Sequence, residues 1–237
     1  AETFHLVETA VEAWHLTGGA FDPTILGSLL TLGYDRTFEE LPVPLVDAID
    51  TMVGVPAPGP QGVALDAGLQ AVTLPRGVSF DPGGIGKGLT ADLVSVELLE
   101  RGARGALVDV GGDLRVVGEG PADGAWIIEV DHPDPEKPEP LLRLALHDAG
   151  VTTSSTRKRR WGTPGGTCHH LLVPATGHPI DGLYDTASAV APTAWLAEAA
   201  TKAALVLGRP DVVPSAHVVL SGSGSTRSTP VLEEMMR

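Results

Sequence analysis

Apolar positions at Phe4, Leu6, Val7, Val11 and Trp14 recur at helical spacing and predict a helix over residues 2–17. Gly18-Gly19 ends it, and Asp22-Pro23 follows as a turn. A shorter helical pattern spans 24–32 and stops at Gly33, 39–53 reads as helical or irregular, and Pro56, Pro58, Gly59 and Pro60 mark a loop. Short apolar runs at 62–65, 71–74 and 78–80 predict a strand meander. Beyond a glycine-rich turn, Leu89, Leu93, Val96 and Leu99 give the apolar stripe of a helix over 89–101. The continuous apolar run 105–110 predicts a strand buried on both faces. Gly111-Gly112-Asp113 turns the chain into a strand over 114–117. Strands follow at 126–130 and, after the proline-rich loop 132–140, at 141–146. Residues 152–156 form a polar stretch ahead of the basic run Arg157 to Arg160. The rest predicts strands over 169–173 and 186–190, an alanine-rich helix over 194–207, and a strand over 217–220 before a Ser/Gly-rich turn. Helices first, then a mainly antiparallel sheet with later helices, predict an α+β fold: an antiparallel sheet core flanked by helices. No internal repeat or long linker divides 1–237, which reads as a single domain.

Composition narrows the function more than the fold. Aromatics make up 4% of the 237 residues, so the core rests on Val, Leu, Ile and Ala. A formal net charge of −14 argues against nucleic acid and against an anionic membrane surface as the main partner. Cys168 is the single cysteine, which excludes an intrachain disulfide and leaves the compartment open. No apolar run reaches transmembrane length, and the start lacks a signal-peptide pattern. The chain opens directly in a helical pattern, from which we expect further sequence upstream.

The run Asp81-Pro82-Gly83-Gly84-Ile85-Gly86-Lys87-Gly88-Leu89 is the strongest chemical signal. Glycines let backbone N–H groups approach a phosphate, a helix start offers unpaired donors, and a lysine adds a point charge. The spacing matches neither a Walker A loop nor G-x-G-x-x-G. The plainer alternative is a strand-to-helix turn with a solvated lysine, although the helix dipole disfavours a cation in the first turn.

Several stretches together resemble the ApbE family, the FAD:protein FMN transferases. They are Thr17 to Thr24 (TGGAFDPT), Asp81 to Gly88, Val108 to Asp113 (VDVGGD), Thr152-Thr153-Ser154, His170 to Pro179 (HLLVPATGHP) and Ala197 to Ala203 (AEAATKA). Each is weak alone; their order over roughly 4–208 makes the combination specific. The resemblance implies an ApbE-like fold with the dinucleotide site between two subregions. It implies that FAD is cleaved, FMN is attached by a phosphoester to a threonine of an acceptor flavoprotein, and AMP is released. Two alternatives stay open: an FAD pyrophosphatase yielding FMN and AMP, and a non-catalytic flavin-binding protein. Family habit points to a membrane-associated or extracytoplasmic protein and leaves a cytoplasmic location open. The strand pair with which the family begins is expected to be missing here.

By the same resemblance, Asp81 and Lys87 contact the dinucleotide, Ala20, Phe21 and Asp22 line its pocket, and Thr153 and Leu172 belong to binding stretches. Read from the residues alone, Asp81 equally caps the glycine turn, Phe21 sits in the core, and Asp22 makes an Asx-turn before Pro23. His170 is the candidate general base, since imidazole accepts a threonine proton at neutral pH. His169 would face the opposite side of a strand, and neighbours in a strand cannot converge on zinc with Cys168, so zinc is rejected. The resemblance places metal ligands, usually for magnesium, at Gly84 (through its carbonyl), Glu198 and the position of Lys202, with Thr201 alongside. Lys202 cannot ligate while protonated and leaves magnesium dependence open. From spacing alone, Glu198 and Lys202 are an i,i+4 surface ion pair worth about 0.3–0.5 kcal/mol. Val173 and Ser155 depart from the family pattern. The basic run has two readings, a solvated strand edge or a contact to AMP or an acidic acceptor.

Overall fold

The elements of this computed structural model, which describes residues 1–42, 53–222 and 224–235, begin with α1 (Glu2–Leu16), α2 (Leu26–Thr31), β1 (Ala64–Asp66) and β2 (Ala71–Thr73). Next come α3 (Gly86–Glu100), β3 (Gly105–Val110), β4 (Asp113–Gly118), β5 (Trp126–Val130), β6 (Leu142–Leu146) and β7 (Ala149–Ser155). The chain continues with β8 (Arg160–Thr163), β9 (Gly166–His169), β10 (Thr186–Ala191), α4 (Ala194–Leu207), β11 (His217–Gly222), β12 (Ser225–Ser228) and α5 (Pro230–Met235). Helices flank antiparallel sheets, and the fold is α+β. Two compact units are formed, one of Ala1–Gly84 with Ser155–Gly182, the other of Ile85–Ser154 with Leu183–Arg237. The glycine run is cut by this boundary: Asp81 to Gly84 lie in the first unit and Ile85 to Leu89 in the second.

In the first unit, α1 buries Phe4, Val7, Ala10 and Ala13, one stripe of its 3.6-residue period. Trp161, Cys168, Leu172, Leu29 and Leu32 form an apolar cluster, and Trp161 Nε1 donates to the Leu32 carbonyl at 2.8 Å. Antiparallel pairing of β8 with β9 sets Trp161 opposite Cys168. Residues 78–80 are not a strand; Val78 N–H closes a turn onto the Pro75 carbonyl, and Asp81 N–H donates to the Pro23 carbonyl. The expectation for 39–53 falls mostly outside the described residues; Phe38–Glu40 is a single 3-10 turn.

The second unit contains a six-stranded sheet, in the order β12-β11-β10-β7-β4-β3 among the described residues. Helices α3 and α4 pack against it and against each other. Val116, Val151 and Val219 of the sheet join Ile128, Val130, Leu142 and Leu144 of the β5–β6 hairpin and Leu232 of α5 in one core. Each such side chain contributes about 1.5–3 kcal/mol when fully buried. Gly111 and Gly112, at φ +65° and +91°, make the two-residue turn from β3 to β4. Paired left-handed residues are what such a hairpin needs, and the register Val110↔Asp113 places Asp113 first on β4.

Four expectations are corrected here. The helix expected over 89–101 starts at Gly86, and its buried face is Gly88, Leu89, Ala91, Asp92 and Ser95. Leu93 and Val96 are exposed, and at Gly88 the backbone of α4 comes so close that no side chain fits. Strand β3 is an edge strand with Leu107 exposed, rather than a strand buried on both faces. The polar stretch 152–156 belongs mostly to β7, an interior strand in which the hydroxyl of Thr153 pairs with that of Ser188 and the hydroxyl of Ser154 with that of Thr201, both at 2.8 Å. The Ser/Gly-rich stretch is followed by two further elements that the pattern does not predict, strand β12, which pairs with β11, and helix α5.

Candidate active site

Lys87 stands in the first turn of α3, where the helix's own dipole opposes a cation. Two carboxylates answer that: Lys87 Nζ is paired with Asp113 and lies 3.4 Å from Glu198 Oε1. Glu198 projects from α4, and its Oε2 accepts the N–H of Gly88 at 2.9 Å. Lys202, one turn on, places Nζ 3.2 Å from Glu198 Oε1 and 3.3 Å from the Glu198 carbonyl. The Thr201 hydroxyl donates to the same carbonyl at 2.8 Å and accepts from Ser154 at 2.8 Å. Glu198 is 1% exposed, so the reading of Glu198 and Lys202 as a surface pair is overturned. Burial pushes the Glu198 carboxyl up, but the Lys202 and Lys87 ammonium groups and the Gly88 N–H pull it further down, and its pKa ends below the ordinary glutamate value.

Gly88 is what allows this. A Cβ there would sit 2.6 Å from the Ala194 backbone carbonyl group and 2.7 Å from Trp195 N. Asp92, one turn further along α3, accepts the N–H groups of Ala194 and Trp195 at 2.9 Å each and so caps α4 from another helix. Arg115 Nε approaches Asp92 at 3.0 Å and also pairs with Asp148. Burial raises the Asp92 pKa in spite of these partners. The helix N-termini, the carboxylates and the lysines are thus locked into one geometry within the second unit.

The expected residues of the first unit are engaged differently. Ala20 and Phe21 are buried, and Asp22 makes the Asx-turn: Oδ1 accepts from the Thr24 N–H at 2.8 Å and its hydroxyl at 2.6 Å, and Oδ2 accepts from Trp14 Nε1 at 3.1 Å. Asp81 Oδ1 accepts from the Gly83 N–H at 2.9 Å and caps the 3-10 turn Pro82–Gly84. Leu172 is a core residue, bridged to Pro179. The strand expected over 169–173 ends at His169, so the two histidines do not share a strand. His169 is buried; its Nδ1 accepts the Leu171 N–H at 3.3 Å and its Nε2 donates to the Ile180 carbonyl at 3.0 Å. Burial holds its pKa below the usual histidine value, so it is a neutral structural histidine. His170 follows in a bend and is half-buried. Arg157 to Arg159 lie in the turn and bend leading into β8, and Arg160 is the exposed first residue of that strand.

Lys87, Thr201, Glu198 and Lys202 are therefore brought together, with Thr153 one residue from Ser154 on β7; Gly84, Asp81, His170, Leu172 and Ala20 to Asp22 belong to the first unit. Sequence reasoning missed Asp113, Ser154 and Asp92 as members of this network. For Asp113 a signal existed, a carboxylate directly after a paired-glycine turn.

Fold and charge cluster define an α+β protein built round a helix-to-helix lysine–carboxylate site. The chain belongs to the ApbE family, whose sequence profile matches residues 1–217. It is 30% identical over 216 residues to the FAD:protein FMN transferase of Treponema pallidum, covering 86% of this chain and 59% of that one. A Klebsiella pneumoniae FAD:protein FMN transferase is 30% identical over 188 residues, 79% of this chain and 56% of the relative. The chain thus spans a little over half the length of these curated relatives. The crystal structure of the ApbE protein of Thermotoga maritima superimposes with a TM-score of 0.80 at 28% identity, covering all of this chain and 78% of that one. The apo flavinyl transferase ApbE of Pseudomonas stutzeri shares the fold, with a TM-score of 0.73 at 20% identity over 100% of this chain and 74% of that one.

Proposed function

We propose that the chain transfers FMN from FAD to a threonine of an acceptor protein and releases AMP. The observation that carries this reading is the ammonium of Lys87 at the positive end of α3. Its side chain is 41% exposed, and Lys202 stands behind it on the shared carboxylate Glu198. A diphosphate is the ligand such a helix start with two fixed cations recognises. Membership of a family whose relatives are named FAD:protein FMN transferases supports FAD as that diphosphate.

In the proposed reaction the threonine Oγ attacks the phosphorus of the FMN half. A new P–O bond forms, and the P–O bond to the AMP half breaks, with the electron pair leaving on the AMP phosphate. The threonine proton passes to His170, the proposed base. Fixed positive charge near the bridging and leaving oxygens is the contribution that matters most for such a transfer. We assign that role to Lys87 and Lys202, and dinucleotide contacts to Asp81 and the stretch around Thr153. The residues of the Glu198 cluster do not fit a resident magnesium ion, since both Glu198 oxygens already hold donors. No step is therefore routed through a metal.

The test is incubation with FAD and a threonine-bearing acceptor, followed by mass spectrometry of the acceptor and chromatography of the nucleotides. Covalent flavin on the threonine with equimolar AMP is expected. Free FMN with a bare acceptor would make the chain a pyrophosphatase, and bound, unchanged FAD would make it a carrier; either overturns the proposal.

A further inference from the structure

Glu198 is a carboxylate 1% exposed to solvent, and its ionised form needs a counter-charge. The protein provides it covalently. Lys202 is four residues on along α4, so helix geometry holds its ammonium over the same carboxylate, 3.2 Å from Oε1, with Lys87 3.4 Å away on the same oxygen. The other oxygen is occupied by the Gly88 N–H at 2.9 Å. Thr201 spends its proton on the Glu198 carbonyl and accepts the Ser154 hydroxyl. Two ammonium groups and the two carboxylates, Glu198 and Asp113, sum to zero charge. A divalent cation at this carboxylate would meet two ammonium groups already in place and add two positive charges that nothing in the cluster itself compensates. Magnesium moreover demands near-octahedral oxygen ligands at about 2.1 Å, and here the oxygens already serve other partners.

We propose that Lys202, together with Lys87, takes the place of a divalent cation in this chain, so that the site meets its diphosphate without metal. The identity of that diphosphate as FAD rests on the function proposed above; the exclusion of the metal does not. Lys202 is then a binding residue whose ammonium is the internal substitute for an ion.

The experiment uses manganese(II) as the probe. The whole chain, its Lys202→Thr variant and its Lys202→Met variant are titrated with manganese(II), with and without inorganic pyrophosphate, and bound metal is read by electron paramagnetic resonance. Wild type and Lys202→Met are expected to hold none at this site. Lys202→Thr, which restores an oxygen and removes the ammonium, is expected to bind one ion at least tenfold more tightly than wild type. Stoichiometric manganese on the wild type that disappears in Glu198→Gln would overturn the proposal, as would a Lys202→Thr variant no better than wild type. A parallel FAD titration should give the same affinity in EDTA as in magnesium, and an affinity lost only in EDTA would also overturn it. Failure to bind FAD in either buffer would strike the proposed substrate and leave the manganese result to decide the counter-charge.

Discussion

Glu198 and Gly88 join two helices across 110 residues of sequence, through an N–H donated to a carboxylate oxygen at 2.9 Å. That bond needs the backbones of α3 and α4 in near contact, and the absence of a side chain at position 88 permits it. Packing and charge are thus the same feature viewed from two sides: the close approach that fixes the helices also carries the lysine of one to the glutamate of the other.

Gly88→Ala is expected to destabilise the protein by roughly 1–3 kcal/mol, since the added carbon meets backbone atoms that cannot swing away. Urea unfolding measures the loss. FAD affinity should fall in the same variant, because Lys87 and Glu198 lose their register; a variant as stable as wild type would refute the packing argument.

Glu198→Gln removes one partner of a buried ion pair, a change that costs about 3–5 kcal/mol when both partners are buried. Lys87 is 41% exposed and can turn to water, so the loss should lie at or below the lower end of that range. The pH dependence has a definite sign. A carboxyl whose pKa is lowered on folding stabilises above its unfolded value of about 4.3 and loses that contribution as pH falls through the folded value. Wild type should therefore lose stability below that pH more steeply than Glu198→Gln, as read from urea midpoints across the acid range.

His169 gives a second, separate titration. Its pKa is lowered by burial, so the unfolded chain binds the proton first as pH falls below about 6.5. Stability should drop from pH 7.5 towards 5.5 with a slope of at most about 1.4 kcal/mol per unit. His169→Gln should start less stable and show a flatter slope; an unchanged slope would move the titration to another group.

His170→Asn should abolish FMN transfer while leaving the melting temperature and FAD affinity close to wild type. Turnover unaltered by this change would remove His170 from the chemistry.

Helical period made the shared face of Glu198 and Lys202 legible in the sequence, while their place in a site came only from the family resemblance. Glu198 and Lys202 are i,i+4 on a strongly periodic helix, and Lys87 sits in a glycine run that opens another helix. What periodicity cannot report is which face of a helix meets a neighbour. Leu93 and Val96 set the pattern of α3 yet are exposed, while Gly88, Ala91 and Ser95 are buried, and at Gly88 the α4 backbone leaves no room for a side chain. Pairings distant in sequence were also hidden. Asp113 reaches Lys87 through the β3–β4 turn, and Ser154 reaches Thr201 from a strand that reads in the sequence only as a polar stretch. The histidine pair misled for a local reason: β9 stops at His169, so the alternation of a strand does not apply to His170.

Whether the two lysines gathered on Glu198 hold a diphosphate is decided by a crystal structure of the chain with FAD, grown with magnesium in excess. Diphosphate oxygens are expected within hydrogen-bonding distance of Lys87 and Lys202 Nζ, with no metal ion on Glu198. A diphosphate bound away from both lysines, or a magnesium ion coordinated by Glu198, would contradict it.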